Sequence, residues 1–312
     1  MPNAAPPEIS GDVSLSRPDS LRYLLYGLRQ IVQAFSERRK ATPYRLSSSS
    51  GSVEAEYEAG ASPIRTYTAA FIQEMAAKRC AQQIVCDIGC GAGGQARFFE
   101  TAGASLYFGI DPLARDSWLL ARQRMQPPRR FGRMVVEQLA LREHSIGVTY
   151  SSSSLEHIPG IHAAIQEIGR VTAPGGYGIH IVPSVWALFL YPFHGFRRFS
   201  SAGLARLFES AGLEVIELWG LGGLPSFLLH TVVITWLETG SMYLWLTVPL
   251  VPRVLRRLFR MPHIRTRGSK ATRLYSALLR AAVKADCRVS WPPSAYAIVV
   301  SKPQLDGAVS AG

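Results

Sequence analysis

The chain has 312 residues, 47% of them hydrophobic, enough for one large core with an insertion. Lysine and arginine number 34 against 22 acidic residues, and the net charge of +12 favours anionic partners. The four cysteines, Cys80, Cys86, Cys90 and Cys287, form no C-x-x-C pair, so no zinc-ligand array or other metal site is expected and they read as small packing residues.

In chain order, residues 1–19 are proline-rich and polar, without the basic and apolar regions of a signal peptide. A disordered N-terminus and a cytoplasmic location are expected. Ser20 reads as the N-cap of a helix carrying Leu21, Leu24, Leu25, Leu28, Ile31, Val32 and Phe35 at helical spacing and ending in Arg38, Arg39 and Lys40. SSSSGS (47–52) reads as a linker, and a second helix is predicted from about Pro63 to Arg79. Residues 20–79 thus form a helical cap.

Strand and helix signals then alternate. β-rich runs fall at 83–88 (QIVCDI), 106–111 (LYFGID), 133–138 (RMVVEQ) and 146–151 (IGVTYS). Ile161, Ile165 and Ile168 stripe a helix that PGG (174–176) stops, and YGIHIV (177–182) is the next strand. Ser200 caps a helix with Leu204, Leu207, Phe208 and Ala211 on one face, and Gly212 ends it. LEVIELW (213–219) and YAIVVS (296–301) are the last strands. The alternation predicts an α/β core, 80–219 closed by 294–303, with a mostly parallel sheet covered on both faces. An apolar, then basic, helical insertion spans 220–293, and 304–312 is a disordered tail.

VCDIGCGAGG (85–94) is a glycine-rich loop at the end of the first core strand, where such sheets bind ligands. As G-x-G-x-x-G (Gly89, Gly91, Gly94) it suggests a dinucleotide. As D-x-G-x-G-x-G (Asp87, Gly89, Gly91, Gly93) it suggests S-adenosylmethionine. Asp87 favours the second reading. Its carboxylate would repel a pyrophosphate but not the cationic amino group and sulfonium of S-adenosylmethionine. Asp111 ends the second core strand, 20 residues after Gly91, where a carboxylate can accept from both hydroxyls of a ribose.

DIGCGAGG, FGIDP, SSSSLEHI and RVTAPGG, in this order and spacing, resemble the class I S-adenosylmethionine-dependent methyltransferases, most nearly the type 11 methyltransferase domain. The resemblance covers roughly residues 60 to 220, and FRRFSSAGLARLFESAGLEV (196–215) extends it. It implies a Rossmann-like, seven-stranded, mostly parallel sheet and S-adenosyl-L-methionine as cofactor. It also implies that Gly89, Cys90, Gly91 and Gly93 cradle the methionine and ribose, that Asp87 orients the amino group, and that Asp111 with Pro112 holds the ribose. Glu137 and Gln138 match the adenine-reading position, and Ser151 and Ser152 begin the wall near the methyl group. Two departures stand out. Ile146–Gly147 replaces a common F-D-x-V pattern, and Glu137 stands where aspartate is commoner.

Methyl transfer asks the protein for alignment, a dry site and, for an oxygen or nitrogen acceptor, a general base. His157 is the first candidate base, against a local packing role. His194, in YPFHGFRRFS, is the second, and Tyr191 reads as a third candidate or as a lid or core residue. Arg197 and Arg198 fit either an anionic acceptor or, alternatively, a surface ion pair or a helix-start contact.

In the insertion, residues 227–250 carry one formal charge, Glu238, and two apolar helices with a turn at Glu238–Ser241 are predicted. Val254, Leu255, Leu258 and Phe259 then alternate with Arg253, Arg256, Arg257 and Arg260, followed by Arg265, Arg267 and Lys270. The 227–270 stretch suits an anionic membrane surface, or a lid over the active site. Aromatic residues are not interleaved with the basic run, so nucleic acid is not an expected partner. The functional expectation is methyl transfer to a small-molecule or lipid-linked acceptor, with surface polysaccharide, lipid or quinone biosynthesis as the setting the resemblance implies. A membrane-associated adaptor and a nicotinamide-dependent oxidoreductase are the rivals.

Overall fold

Eight strands form one sheet in the order β1-β7-β8-β6-β5-β2-β3-β4. They are β1 (Thr42–Pro43), β2 (Ile84–Ile88), β3 (Leu106–Asp111), β4 (Arg129–Arg133), β5 (Ile146–Ser152), β6 (Thr172–Pro183), β7 (Glu214–Leu221) and β8 (Ala295–Ser301). The structure is a computed structural model and describes residues 17–36, 40–46, 51–118, 129–191, 197–240 and 269–304. All pairings are parallel except those of β8, which runs antiparallel to both β6 and β7. The seven longer strands make the expected sheet, and the two-residue β1 extends its β7 edge.

Alternating side chains give the sheet two apolar faces. On one, Val85, Tyr107, Val148, Tyr150, Ile179 and Val299 pack against α3 (Pro63–Arg79) and α4 (Ala96–Thr101). On the other, Cys86, Ile88, Ile110, Val182 and Ile298 pack against α5 (Ile161–Val171) and α6 (Ser201–Glu209). Each buried branched or aromatic side chain contributes roughly 1.5–3 kcal/mol. Ser62 caps α3 by accepting from the Arg65 amide with Pro63 in the first turn, and Ser200 caps α6 by accepting from Gly203. β2 leads outward to β3 and β4, and the chain then returns to β5 on the other side of β2. The order therefore reverses between β2 and β5, where the glycine loop sits.

The elements differ from the sequence reading in five places, one being β6, which starts at Thr172 and takes in residues 174–176, expected to stop the preceding helix. Helix α1 spans Arg17–Ser36, so Ser20 lies inside it and is not its cap. Pro18 falls in the first turn, where a missing amide costs nothing. The linker reading of 47–52 gives way at Gly51, the start of α2 (Gly51–Glu58), because Val53 and Tyr57 are buried against the core. Strand β4 precedes the predicted 133–138. It pairs with β3 from Tyr107↔Arg129 to Asp111↔Arg133 and stops where β3 stops, while Val136 turns into the core.

In the insertion, α7 (Leu224–Leu229) continues as a π-helix, His230–Gly240, so no turn forms at 238–240. The Thr235 hydroxyl donates to the Leu190 carbonyl at 2.6 Å, and Ile234 is buried, which holds the segment on the core. Helix α8 (Lys270–Asp286) follows, and Asp286 accepts from the Tyr67 hydroxyl and the Ser226 amide, tying α8, α3 and α7 together. Among the described residues no helix is long and apolar enough to cross a membrane. Of the segments predicted to be disordered, 1–19 and 304–312, residues 17–19 instead open α1, where Pro18 suits the first turn, while 1–16 and 305–312, like the basic run 253–267 and His194, lie outside the described residues.

Candidate functional site

The β2 strand delivers the glycine loop to the sheet's carboxyl edge. Gly89 and Gly93 adopt φ of +73° and +75°, and a Cβ would lie 2.4 Å from Ser154 Cβ at the first and 2.6 Å from Phe131 at the second. Only glycine fits there. Gly91 also has positive φ, whereas Gly94 does not. The conformationally demanding glycines are thus those of D-x-G-x-G-x-G. The loop is tied to β3: Gly89 and Cys90 amides donate to the Ile110 carbonyl at 2.8 and 3.0 Å.

Asp111 anchors the loop further. Its carboxylate accepts from the Gly91 amide at 3.0 Å and the Leu113 amide at 2.9 Å. A carboxylate has about four lone-pair sites, so acceptor capacity remains for a diol. Trp118 clamps the other side. Its indole N–H donates to the Gly91 carbonyl at 2.8 Å, and its ring stacks on Phe131 at 5.3 Å and 13°. Pro112 offers its carbonyl to Arg133.

Asp87 lies one layer below, buried on β2, where the Tyr107 hydroxyl from β3 donates to its carboxyl. Burial pushes Asp87 up to about 7; the Tyr107 bond opposes this, and the Asp111 charge adds to it. A cation brought to this carboxyl would drive its ionisation.

Across the crevice stands the turn after β5. Ser154 donates to the Ile88 carbonyl at 2.7 Å, so this turn packs directly on the glycine loop. Leu155–His157 forms a single 3₁₀ turn. His157 is partly exposed, with its Nε2 3.9 Å from Glu156 Oε1. Glu156 is buried and its Oε2 has no hydrogen-bond partner among the described residues. Burial pushes the Glu156 carboxyl up to about 8, against a bond from its own backbone amide and the charge of Arg198. The pair sets a protonated carboxyl at neutral pH beside an imidazole.

Arg197 and Arg198 are buried, not at the surface. Arg197 donates to the Ile158 and Pro159 carbonyls at 2.7 and 3.3 Å, and Arg198 to the Tyr191 carbonyl at 2.6 Å. Both guanidiniums therefore brace loops, which corrects the surface ion-pair reading and leaves little of either for an anionic acceptor. Tyr191 is half-buried and meets His230 of the insertion edge to face at 5.1 Å.

The structure brings Asp87, Gly89, Cys90, Gly91, Gly93, Asp111, Pro112 and His157 together around the crevice. Ser151 departs: it is buried and its hydroxyl pairs with His180 Nδ1 at 2.8 Å in the core, while Ser152 is half-buried beyond it. Glu137 approaches the Gly160 amide at the start of α5 at 3.4 Å, and Gln138 is exposed. Sequence reasoning missed Tyr107, Trp118 and Glu156. Glu156 carried one usable signal, its place beside His157 at a strand end. The other two are joined to the loop only by the fold.

A family model described as a methyltransferase domain matches residues 61–218, just over half of the chain. The match does not single out the type 11 group. NovU, a C-methyltransferase of Streptomyces niveus, is 32% identical over 143 residues, 43% of this chain and 34% of the relative. An uncharacterized methyltransferase of Mycobacteroides abscessus is 35% identical over 114 residues, 36% of this chain and 42% of the relative. The chain thus spans less than half the length of either. Among solved structures, that of the (4+2)-cyclase SpnF is similar at a TM-score of 0.52 and 16% identity, over 97% of this chain and 100% of that one. That likeness shows the fold, which by itself does not fix an activity. Matched from α3 to β7 through the whole glycine-loop half of the sheet, the chain belongs to the methyltransferase-domain family of class I S-adenosylmethionine-dependent methyltransferases.

Proposed function

We propose that the protein transfers the methyl group of S-adenosylmethionine to a small-molecule acceptor that is lipid-linked, acting peripherally at the cytoplasmic face of a membrane. The observation that carries the cofactor reading is the glycine loop held between two strand-end carboxylates, one of them buried and poised to ionise. The cradle that a Cβ would fill at Gly89 and Gly93, and the acceptor capacity left on Asp111, fit this cofactor. A pyrophosphate would meet ionised Asp87 as a like charge, whereas Asp111 suits the ribose of either cofactor.

When bound, S-adenosylmethionine supplies an electrophilic methyl on sulfur. The chain's part is alignment. Gly89, Gly91 and Gly93 admit the ligand close to the backbone, Asp111 holds the ribose, and ionised Asp87 orients the amino group. Glu137 and Gln138 stand at the adenine end. On the acceptor side His157 takes the proton that leaves the nucleophile, with the Glu156 carboxyl behind it and Arg197 and Arg198 holding the loops in register. The lipid-linked acceptor is supported by the apolar insertion, which packs through His230 and Thr235 on the Leu190–Tyr191 wall.

Calorimetric titration with S-adenosylhomocysteine, with NAD in parallel, tests the cofactor. Saturable binding of the first alone is expected, and binding of NAD alone would overturn the reading. Incubating the protein with methyl-labelled S-adenosylmethionine and fractionated cell extract tests the acceptor. Label is expected in the lipid phase, and label confined to the aqueous phase would remove the lipid-linked part.

A further inference from the structure

Helix α1 is packed the wrong way round for a helix that lies against its own protein. Its inward side is Gly27, Ile31 and Ala34: a Cβ at Gly27 would lie 3.0 Å from Leu188, and Ile31 is buried among Val185, Trp186 and Leu188. Among its described side chains, Leu25, Leu28, Val32 and Phe35 follow one another at helical spacing and face out, Val32 and Phe35 being 70% and 69% exposed. A helix serving only the fold would bury that stripe.

The stripe continues into neighbouring elements. The Phe35 ring meets Trp186 edge to face at 5.2 Å, and Trp186 meets Trp291 at 4.9 Å; Trp291 is itself 56% exposed. Phe227 of α7 is buried in the same cluster as Ile31 and Trp186, while Leu224, Leu228 and Val232, four residues apart, are exposed beside it, and Phe189 is exposed too. Single exposed apolar side chains need no explanation, but a run of them across adjoining elements marks an interaction surface.

The charge pattern identifies the occupant. Between residues 17 and 40 stand Arg17, Arg22, Arg29, Arg38, Arg39 and Lys40 against Asp19 and Glu37. Arg29 and Lys40 are exposed beside the stripe. Exposed Lys270 and Arg273 open α8, at the end of a stretch, 253–270, that has seven cations and no acid. Apolar side chains with aromatic ends, flanked by cations, match the layering of an anionic bilayer interface. A second copy of a chain of net charge +12 would be repelled by the same cations.

We infer that α1, the exposed side of α7 and its π-helical continuation, and Trp291 form one docking surface for an anionic lipid bilayer. The surface borders Val185–Leu190, the segment that leaves the carboxyl end of β6, so docking holds the mouth of the crevice at the lipid interface. The inference deepens the lipid-linked reading of the acceptor and rests on it for its purpose, but docking is measured without cofactor or acceptor.

The test is flotation of the full chain with vesicles of phosphatidylglycerol and phosphatidylcholine in equal parts, and with phosphatidylcholine alone. Binding is expected to the anionic vesicles. The Val32→Glu/Phe35→Glu variant and, separately, Leu228→Glu are each expected to weaken it roughly tenfold or more. Because these side chains are mostly exposed, both variants should stay folded and keep S-adenosylhomocysteine binding, the double variant losing only the Phe35–Trp186 contact from its stability. Absence of vesicle binding by the parent, or equal binding by both stably folded variants, overturns the inference. So does a concentration-dependent dimer in sedimentation that the same substitutions dissolve, since that assigns the surface to a second copy. A parent chain that binds S-adenosylhomocysteine but no vesicles loses the docking surface alone and keeps the cofactor reading.

Discussion

Tyr107 and Asp87 stand on adjacent strands, and the tyrosine hydroxyl donates to the buried carboxyl. Because burial raises Asp87 to about 7, this carboxyl is near half-protonated at neutral pH. An ammonium group bound beside it favours the ionised form, so cofactor binding at pH 7 releases protons. S-adenosylhomocysteine affinity is expected to be level above pH 7 and to fall as pH drops below it, by up to about tenfold per unit. Tyr107 and Asp111 act on the carboxyl, and Tyr150, Cys86 and Cys90 also feel its charge. Tyr107→Phe removes the bond that favours ionisation, so its affinity should fall several-fold at pH 7 and recover at higher pH. Calorimetry in buffers of different ionisation enthalpy measures the proton count. A pH-independent affinity in both proteins would sink the assignment of Asp87.

Asp111 has two duties. It faces the ribose position, and it fixes the glycine loop through the Gly91 and Leu113 amides. Asp111→Ala is therefore expected to weaken S-adenosylhomocysteine binding by about a hundredfold or more, as two charge-assisted loop bonds and the ligand's own are lost. The fold should persist but with stability lower by roughly 1–3 kcal/mol, read from urea denaturation, for the amides left unpaired. Unchanged affinity would remove the ribose role.

These two residues also show what a sequence carries. Asp87, Asp111 and the glycines were legible because their chemistry is local: a tight loop between a strand and a helix, and a carboxylate at a strand end. Helix α6 was legible from Ser200 at its start, and α3 from about Pro63, where the structure adds Ser62 as its cap. Strand β4 was misplaced because its extent is set by its partner β3, not by its own residues. Ser151 looked like a crevice residue because it ends a strand, but strand alternation turns it to His180. In α1 the periodicity showed a stripe without saying which way it faces. Trp118 and Tyr107 are distant in sequence from the groups they hold, and only the folded sheet brings them there.

Trp118 offers a direct optical test of the loop. Its indole donates to Gly91 and its ring rests on Phe131, which also fills the space above Gly93. Cofactor entering the loop changes the surroundings of this one indole among six tryptophans. Trp118→Phe keeps the stack and loses the donor, so S-adenosylhomocysteine affinity should fall roughly three- to tenfold, the worth of one neutral hydrogen bond. The same variant should lose most of the fluorescence change on binding. A full change in Trp118→Phe would place the reporter, and the ligand, elsewhere.

His180 gives a prediction on stability. It lies wholly buried on β6, bonded to Ser151 and stacked on Phe208 at 4.7 Å. Burial alone depresses it from 6.5 to about 3, so the folded protein holds it neutral while the unfolded chain protonates it below about 6.5. Its stabilising contribution is complete above pH 6.5 and is lost as pH falls toward 3. Asp87 and Glu156 act in the opposite sense: both are raised by burial, and what they contribute is complete at low pH and lost as pH rises through about 7 and about 8. His180→Gln keeps a group able to bond Ser151 and cannot charge. Between pH 6.5 and 4 the parent should therefore lose on the order of a few kcal/mol more than the variant, measured by chemical denaturation across pH. Parallel acid limbs in the two proteins would mean that His180 is not held neutral by the fold.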